Sequence, residues 1–198
     1  MAAFITTTAA NAKLKVGVQA GVNLPSVTGK SLGKKRNSDI SIGGRFGGLV
    51  DLQVADHICI RPGIEYNLLG GVNGDLGNDV NWLFHYINVP VDVLYTMGKE
   101  GENHFYVGLT PYIGYMVSGQ SKASGVTKTL EIGSDQTKDN VLPWGFGAGV
   151  KVGYEFAKGF FVDAAFYHGL VNILPGGNGD NSIYNRNITL GGGYFFMR

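Results

Sequence analysis

Hydrophobic and polar residues alternate with a period of two along most of the chain. The segment from His57 to Leu68 is the clearest case, with Ile60 and Ile64 on one face and Arg61 and Glu65 on the other. This alternation predicts β-strands that have one apolar and one polar face. Eight such segments occur, over residues 13–22, 40–54, 57–68, 82–95, 103–117, 142–156, 160–173 and 187–197. Each reaches the roughly 9 to 11 residues that a tilted strand needs to cross a bilayer.

The connections between these segments alternate between long and short. Long connections cover residues 23–39, 69–81, 118–141 and 174–186, and shorter ones cover 55–56, 96–102 and 157–159. Barrels of the bacterial outer membrane have tight periplasmic turns and longer extracellular loops. The sequence therefore predicts an all-β protein, an eight-stranded antiparallel up-and-down transmembrane β-barrel with both termini on the periplasmic side.

Composition agrees with this interpretation. Of 198 residues, 16% are charged, 12% are aromatic and 32 are glycine, whereas about a quarter of a soluble domain is charged. The chain lacks the run of about 18 apolar residues that a transmembrane helix requires. Its net charge of +1 gives no attraction toward nucleic acid, so we expect no such partner. The single cysteine excludes an intrachain disulfide.

The polar face carries too much charge for a soluble ligand pocket. If the apolar face meets lipid, charged side chains of both signs share a lumen that is only wide enough for side chains to fill it. We therefore expect a paired lumenal charge network rather than an open channel. Its members are Lys15, Arg45, Asp51, Arg61, Glu65, Asp92, Lys151, Glu155 and Asp163, with Lys13 beside them. A soluble lipocalin-like barrel is the alternative, and it requires the apolar face inside.

Aromatic residues lie near the ends of the predicted strands, as in the interfacial girdles of membrane barrels. The expected periplasmic girdle contains Tyr95, Phe105, Tyr154, Phe156, Phe160 and Phe196. The expected outer girdle contains Tyr66, Tyr115, Trp144 and Phe166. A general preference of aromatic residues for strands explains part of this distribution.

Several segments resemble the PorT-like outer-membrane β-barrel proteins of Gram-negative bacteria. The resemblance is carried by VGVQAGVNLPS at 16–26, YINVPVDVLY at 86–95, YVGLTPYIGYMVSG at 106–119, GFGAGVKVGYEF at 145–156, FVDAAFYHGLVNI at 161–173 and the terminal ITLGGGYFF. It implies the barrel framework and names neither a substrate nor a catalytic residue. The chain departs from the family at Ala165, where members often have a basic residue. It also continues to Met197 and Arg198 beyond the aromatic Phe196.

The N-terminus has one feature of an exported protein. Ala10-Asn11-Ala12 matches the small-x-small pattern that precedes signal cleavage, although a basic region and a long apolar stretch are missing before it. We expect residues 1–12 to be a signal-peptide remnant or a disordered N-terminus, and residues 13–198 to be the outer-membrane barrel domain.

Histidine, serine and cysteine are the residues that could take part in catalysis or bind a metal. His85 and His168 lie toward the outer strand ends in the apolar register, and Ser118, Ser121 and Ser124 fall in a predicted loop. No spacing fixes a triad, so we expect no catalytic residues. His57, Cys59 and Arg61 share the predicted lumenal face, and His104 lies at a similar depth on another strand. These are too few ligands at metal spacing, so we expect no metal and no cofactor.

The sequence thus predicts a non-enzymatic outer-membrane barrel that acts as a structural or surface-interaction protein through its extracellular loops. A narrow pore for small solutes and a lipid-modifying enzyme are the alternatives. The expected partners are outer-membrane lipid and lipopolysaccharide, together with an extracellular ligand of the long loops. Because a closed barrel protects its own strand edges, we expect a monomer.

Overall fold

The computed structural model describes residues 14–72, 80–99 and 101–197, and these form ten antiparallel strands. The strands are β1 (Leu14–Ser31), β2 (Lys34–Asn37), β3 (Gly43–Ala55), β4 (Ile58–Val72), β5 (Val80–Met97), β6 (His104–Ala123), β7 (Val126–Thr129), β8 (Trp144–Glu155), β9 (Phe160–Gly169) and β10 (Ser182–Met197). Among the described residues, no helix has the length and hydropathy to cross a membrane. The predicted N-terminal segment, residues 1–12, lies outside the described residues.

Eight strands form a closed ring, which confirms the predicted barrel. The order β1-β3-β4-β5-β6-β8-β9-β10 follows the chain, and β10 then pairs with β1. The closing register runs from Val18 opposite Tyr194 to Lys30 opposite Ser182. Each strand of the ring is therefore hydrogen-bonded on both sides, as a backbone surrounded by lipid requires.

Several strands extend further at the extracellular end than the alternation predicts. β1 continues to Ser31 instead of ending near residue 22, β6 continues to Ala123, and β10 begins at Ser182. The short strands β2 and β7 pair with the outer ends of β1 and β6 and form two hairpins above the ring. The sequence prediction placed these residues in loops. It was wrong because backbone pairing continues where the apolar residues of the lipid-facing side have already given way to polar ones.

The apolar faces of the strands point outward and the polar faces point inward. On β4 the side chain of Ile64 is 58% exposed, whereas its neighbour Glu65 is 5% exposed. The same reversal repeats around the ring, since Val18, Val93, Val150 and Leu190 are also exposed. This orientation excludes the lipocalin-like alternative, in which the apolar side chains would pack inside.

Aromatic residues near both ends of the barrel pair on its outer surface. On the periplasmic side the ring centroids of Phe105 and Tyr154 are 4.6 Å apart. On the extracellular side Tyr115 and Trp144 are also 4.6 Å apart. These four predicted girdle residues therefore lie on the outward face at the strand ends, whereas Phe166 stands opposite Val150, in the middle of β8.

Two inward glycines make room for large lumenal side chains. A Cβ on Gly153 would lie 2.3 Å from the ring of Tyr106. A Cβ on Gly193 would lie 2.1 Å from the carbonyl oxygen of Val18 and 2.4 Å from the ring of Phe161. Only glycine allows such approaches, so these positions let aromatic rings lie close against the barrel wall.

Candidate functional site

The lumen of the barrel contains a network of buried charged side chains. Because side chains alternate along each strand, all nine residues of the expected charge network point toward the inside of the ring. All nine are buried. They are Lys15, Arg45, Asp51, Arg61, Glu65, Asp92, Lys151, Glu155 and Asp163. Lys13, expected beside them, lies outside the described residues. The nine side chains form two groups at different depths.

The periplasmic group is centred on Arg61. Its Nε donates a 2.6 Å hydrogen bond to Oδ2 of Asp51, and one of its terminal nitrogens lies 3.4 Å from Oε2 of Glu155. Lys15 Nζ donates to Oε1 of the same glutamate at 2.6 Å. Glu155 therefore joins β8 to β1 and β4, so ion pairs connect opposite walls of the barrel.

Aromatic rings surround this group and complete its packing. The guanidinium carbon of Arg61 is 4.9 Å from the ring centre of Tyr106, 5.1 Å from that of Phe195 and 5.3 Å from that of Phe161. Each approach is within range of a cation–π interaction. Phe161 and Phe195 were not predicted to face the lumen. Counting by twos from Asp163 and Gly193 would have placed both there.

A second group lies deeper in the barrel, toward the extracellular side. Lys151 Nζ donates to Oδ2 of Asp92 at 2.6 Å, and the hydroxyl of Thr110 donates to the other oxygen at 2.7 Å. Lys151 is on β8 and Asp92 is on β5, so this pair reaches across the intervening strand β6. Both oxygens of the buried carboxylate are thereby satisfied, as a charge removed from water requires.

Arg45 organises the opposite wall at a similar depth. It forms a close ion pair with Asp163 and a second one with Glu65, whose Oε1 is 3.2 Å from Nη1 of Arg45. Glu65 also accepts hydrogen bonds from Gln19 at 2.7 Å and from Asn67 at 3.1 Å. The carboxylate is thus held by three donors from three strands.

Polar uncharged side chains fill the next level. Asn23 donates to Asn67 at 3.1 Å, and Asn185 donates to the hydroxyl of Tyr86 at 3.3 Å. Two cavities at this level have volumes of about 20 Å³ each, which is room for about one water molecule. The lumen at this depth is therefore narrow, polar and almost filled by side chains.

Apolar side chains close the extracellular end, and we call this group the outer apolar cluster. Its buried members are Val27, Leu69, Phe84, Tyr86, Met116, Val141 and Ile173, with Trp82, Leu130, Ile132 and Ile183 packed against them. The loops reach the cluster through backbone hydrogen bonds, from Leu142 N to Ile173 O at 2.8 Å and from Ile173 N to Ile183 O at 3.0 Å. Two extracellular loops therefore fold inward over the mouth of the barrel.

The exposed extracellular surface has separate acidic and basic features. In the loop before β8, Asp135 accepts hydrogen bonds from the Thr137 hydroxyl at 2.7 Å and the Thr137 backbone N–H at 2.9 Å. These hydrogen bonds lower the pKa of the Asp135 carboxyl. On the β1–β2 hairpin, Lys30 stands directly opposite Lys35, and both are exposed together with Lys34.

The structure corrects one expectation near the periplasmic turns. His57 was expected to share the lumenal face with Cys59, but it lies in the turn between β3 and β4, is exposed and bonds through Nδ1 to the carbonyl oxygen of Thr96 at 2.9 Å. Cys59 is inside the barrel. His104 is also buried, with Nε2 3.9 Å from Glu155. No group of three or more metal-ligating side chains occurs among the described residues.

A second correction concerns the residues considered for lipid chemistry. Ser118 was expected in a loop, but it belongs to β6 and stands opposite His85 of β5 in the strand register. His85 is half-buried, and its Nδ1 hydrogen-bonds the hydroxyl of Tyr66. His85 and Ser118 thus occupy opposite positions at the outer end of neighbouring strands, next to a bulge in their pairing.

Comparisons with known proteins identify the family of this chain. The neisserial surface protein A (NspA) is similar in structure, with a TM-score of 0.51 and 13% identity over 91% of this chain and 97% of that one. Ail, the attachment invasion locus protein of Yersinia pestis, has a TM-score of 0.49 and 13% identity over 93% of this chain and 99% of that one. No curated protein matches the sequence. The sequence model of the family described as "Outer membrane protein beta-barrel domain" matches residues 8–174. The chain therefore belongs to this family of barrel proteins of the bacterial outer membrane.

Proposed function

We propose that this protein is a non-conducting, non-enzymatic outer-membrane barrel that serves as a structural or surface-interaction protein through its extracellular loops. Within the family, the strand motifs of the sequence favour a PorT-like member. The observation that carries the proposal is the succession of filled layers inside the ring.

An ion that entered from the periplasm would first meet the Arg61 group. There the ion pairs with Asp51 and Glu155 span the barrel while three aromatic rings occupy the remaining space. The cavities in the polar layer beyond it have volumes of about 20 Å³ each. A hydrated ion would have to break buried ion pairs to pass, which costs several kcal/mol.

The extracellular side presents a charged hairpin instead of an open pore mouth. The β1–β2 hairpin projects above the ring and carries three exposed lysines, Lys30, Lys34 and Lys35. Like charges that face each other across a hairpin repel, so the pairing of Lys30 with Lys35 favours a bound anion. Lipopolysaccharide phosphates have the required charge and lie at the outer surface of this membrane. The closed ring leaves the chain no need of a partner to cover a strand edge, which favours a monomer.

Conductance in planar bilayers tests the proposal. We expect the purified wild-type barrel to give no stable steps at low voltage, in bilayers where a general porin does give them. The Arg61→Ser, Lys15→Ser double variant removes the centre of the periplasmic layer, and its folding is checked by heat-modifiable gel mobility. Stable single-channel steps from the wild-type protein would replace the proposal with the narrow-pore alternative.

The surface role is tested with lipopolysaccharide itself. The detergent-solubilised barrel should co-sediment with lipopolysaccharide aggregates at low salt and less so at high salt, because exposed charges are screened. The triple change of Lys30, Lys34 and Lys35 to serine should reduce this binding severalfold. The control removes two exposed lysines of the periplasmic turns, Lys99 and Lys158, and should bind normally. The same loss of binding per removed lysine in both variants would show that total charge, rather than the hairpin, is responsible.

Lipid modification is a second candidate function, because the strand register sets Ser118 beside His85 at the outer end of the barrel. A serine nucleophile needs such a base nearby. Incubation with radiolabelled phospholipid and lipid A should yield no cleaved or transferred acyl chains if the non-enzymatic proposal holds. Product formation that the Ser118→Ala variant abolishes would establish the enzyme instead.

A further inference from the structure

The outer apolar cluster contains a cavity that its own side chains do not fill. The cavity has a volume of about 160 Å³ and is lined by Val27, Trp82, Phe84, Leu130, Asn140, Val141, Ile173 and Ile183. Seven of these eight residues are hydrophobic. The layers beneath it are polar and hold cavities of only about 20 Å³. The interior of the barrel therefore changes abruptly from polar to apolar at its extracellular end.

Such a cavity has little attraction for water. A buried water needs two to four polar partners, and apolar cavities of about 150 Å³ in proteins stay dry and accept small hydrocarbons. The side-chain amide of Asn140 is the polar side chain in the lining, and its Oδ1 already accepts the backbone N–H of Glu131 at 3.1 Å. The chemistry of the walls thus favours an apolar occupant.

The cavity is also accessible from outside. Val27, Phe84, Val141 and Ile173 are buried, whereas Trp82, Leu130 and Ile183 on the same cavity are only partly buried. Its wall is built partly from the inward-folded loops around Leu130 and Ile173. A ligand can therefore enter from the extracellular side without passing the charged layers.

We propose that this cavity binds a small apolar molecule, or the apolar end of a larger one such as an acyl chain. The volume limits the bound part to a group about the size of benzene. The proposal does not depend on the lumen being closed to ions, so it stands or falls separately from the proposed function.

The chain's two tryptophans give a direct test. Trp82 lines the cavity, whereas Trp144 lies on the outward face beside Tyr115. In lipid nanodiscs, the Trp144→Phe variant reports on the cavity alone, and the Trp82→Phe variant reports on the lipid-facing surface alone. Bromobenzene, whose heavy atom quenches tryptophan, serves as the probe.

We expect bromobenzene to quench Trp82 along a saturable curve and excess benzene to restore the emission by competition. Trp144 should be quenched only in proportion to the probe dissolved in the lipid, without saturation. Adding the Val141→Phe change fills the cavity and should weaken the saturable binding at least tenfold. The matched control is Val117→Phe, the same enlargement on the lipid-facing side of β6, and it should leave the curve unchanged.

A second series replaces the free probe with phospholipid brominated on its acyl chains. Quenching of Trp82 that saturates and is lost with Val141→Phe would identify a lipid chain as the occupant, and a response to bromobenzene alone would identify a free molecule. Quenching of Trp82 that rises linearly like that of Trp144, or that excess benzene does not reverse, would overturn the proposal. The competition experiment decides this even if the Val141→Phe variant fails to fold.

Discussion

Replacing Lys151 by methionine tests how strongly the lumenal ion pairs hold the barrel together. Its ammonium group is buried and lies 2.6 Å from Asp92 Oδ2. Thr110 holds the other oxygen of that carboxylate at 2.7 Å. Because the pair connects β8 to β5 across β6, its loss affects three neighbouring strands.

The structure sets the expected magnitude. At a charge separation of about 4 Å and an effective dielectric constant near 20, the attraction is about 4 kcal/mol. Removal of one partner leaves a buried charge without its counterion, which costs about 3–5 kcal/mol. We therefore expect Lys151→Met and Asp92→Asn each to lower the free energy of unfolding by about that amount. The double variant removes both charges of this pair, so neither is left without its counterion, and it should lose at least about 2 kcal/mol less than the sum of the two.

The assay is reversible urea unfolding in phospholipid vesicles, followed by tryptophan fluorescence, with all four proteins in one double-mutant cycle. Additive effects would show that the two groups do not interact in the folded barrel. Single-variant losses below about 1 kcal/mol, the value typical of an exposed pair, would show that the lumen is wet. Either result would refute the packed charge network.

Two further predictions concern the wall of the barrel. Gly193→Ala should cost about 1–3 kcal/mol through overpacking, because its Cβ would collide with the carbonyl oxygen of Val18 and with the ring of Phe161. At Gly145 an added Cβ meets nothing within 4 Å, so Gly145→Ala should be near neutral. Equal urea midpoints of the two variants would contradict this. Val150→Arg, at a position that is 53% exposed in the middle of β8, should cost about 2–4 kcal/mol in lipid vesicles. Val54→Arg, near the periplasmic end of β3, should cost about 0–1 kcal/mol, and a larger loss there than at Val150 would contradict the outward orientation.

Local alternation made the inner and outer faces of the strands predictable. Arg61 and Ile60 are adjacent, so a period of two assigns them to opposite faces, and the charge of Arg61 decides which face avoids lipid. The partners of each charge could not be predicted in this way. Lys15 and Glu155 are 140 residues apart, and whether they meet depends on the stagger of all the intervening strands.

The extracellular end was the least predictable part. Phe84 and Met116 lie on the lumenal face by parity, but an apolar residue on a polar face gives no indication of what it contacts. Both pack in one cluster with Val141 and Ile173, which lie in loops of the structure. Val141 falls outside the predicted strands, and Ile173 ends the segment predicted over residues 160–173, whereas the strand ends at Gly169. The cavity among them depends on how these loops fold, which only the three-dimensional structure provides.

The chain's single cysteine offers the most direct test of the packed lumen. Cys59 points inward near the periplasmic end, is 1% exposed and packs against Leu94 and Tyr106. In the folded barrel in vesicles, a small charged methanethiosulfonate reagent should leave Cys59 unmodified during a time that modifies an Asp56→Cys, Cys59→Ser variant completely. In urea, both proteins should react at similar rates. Modification of folded Cys59 as fast as the exposed turn position would contradict the account, because it would show that water fills the barrel.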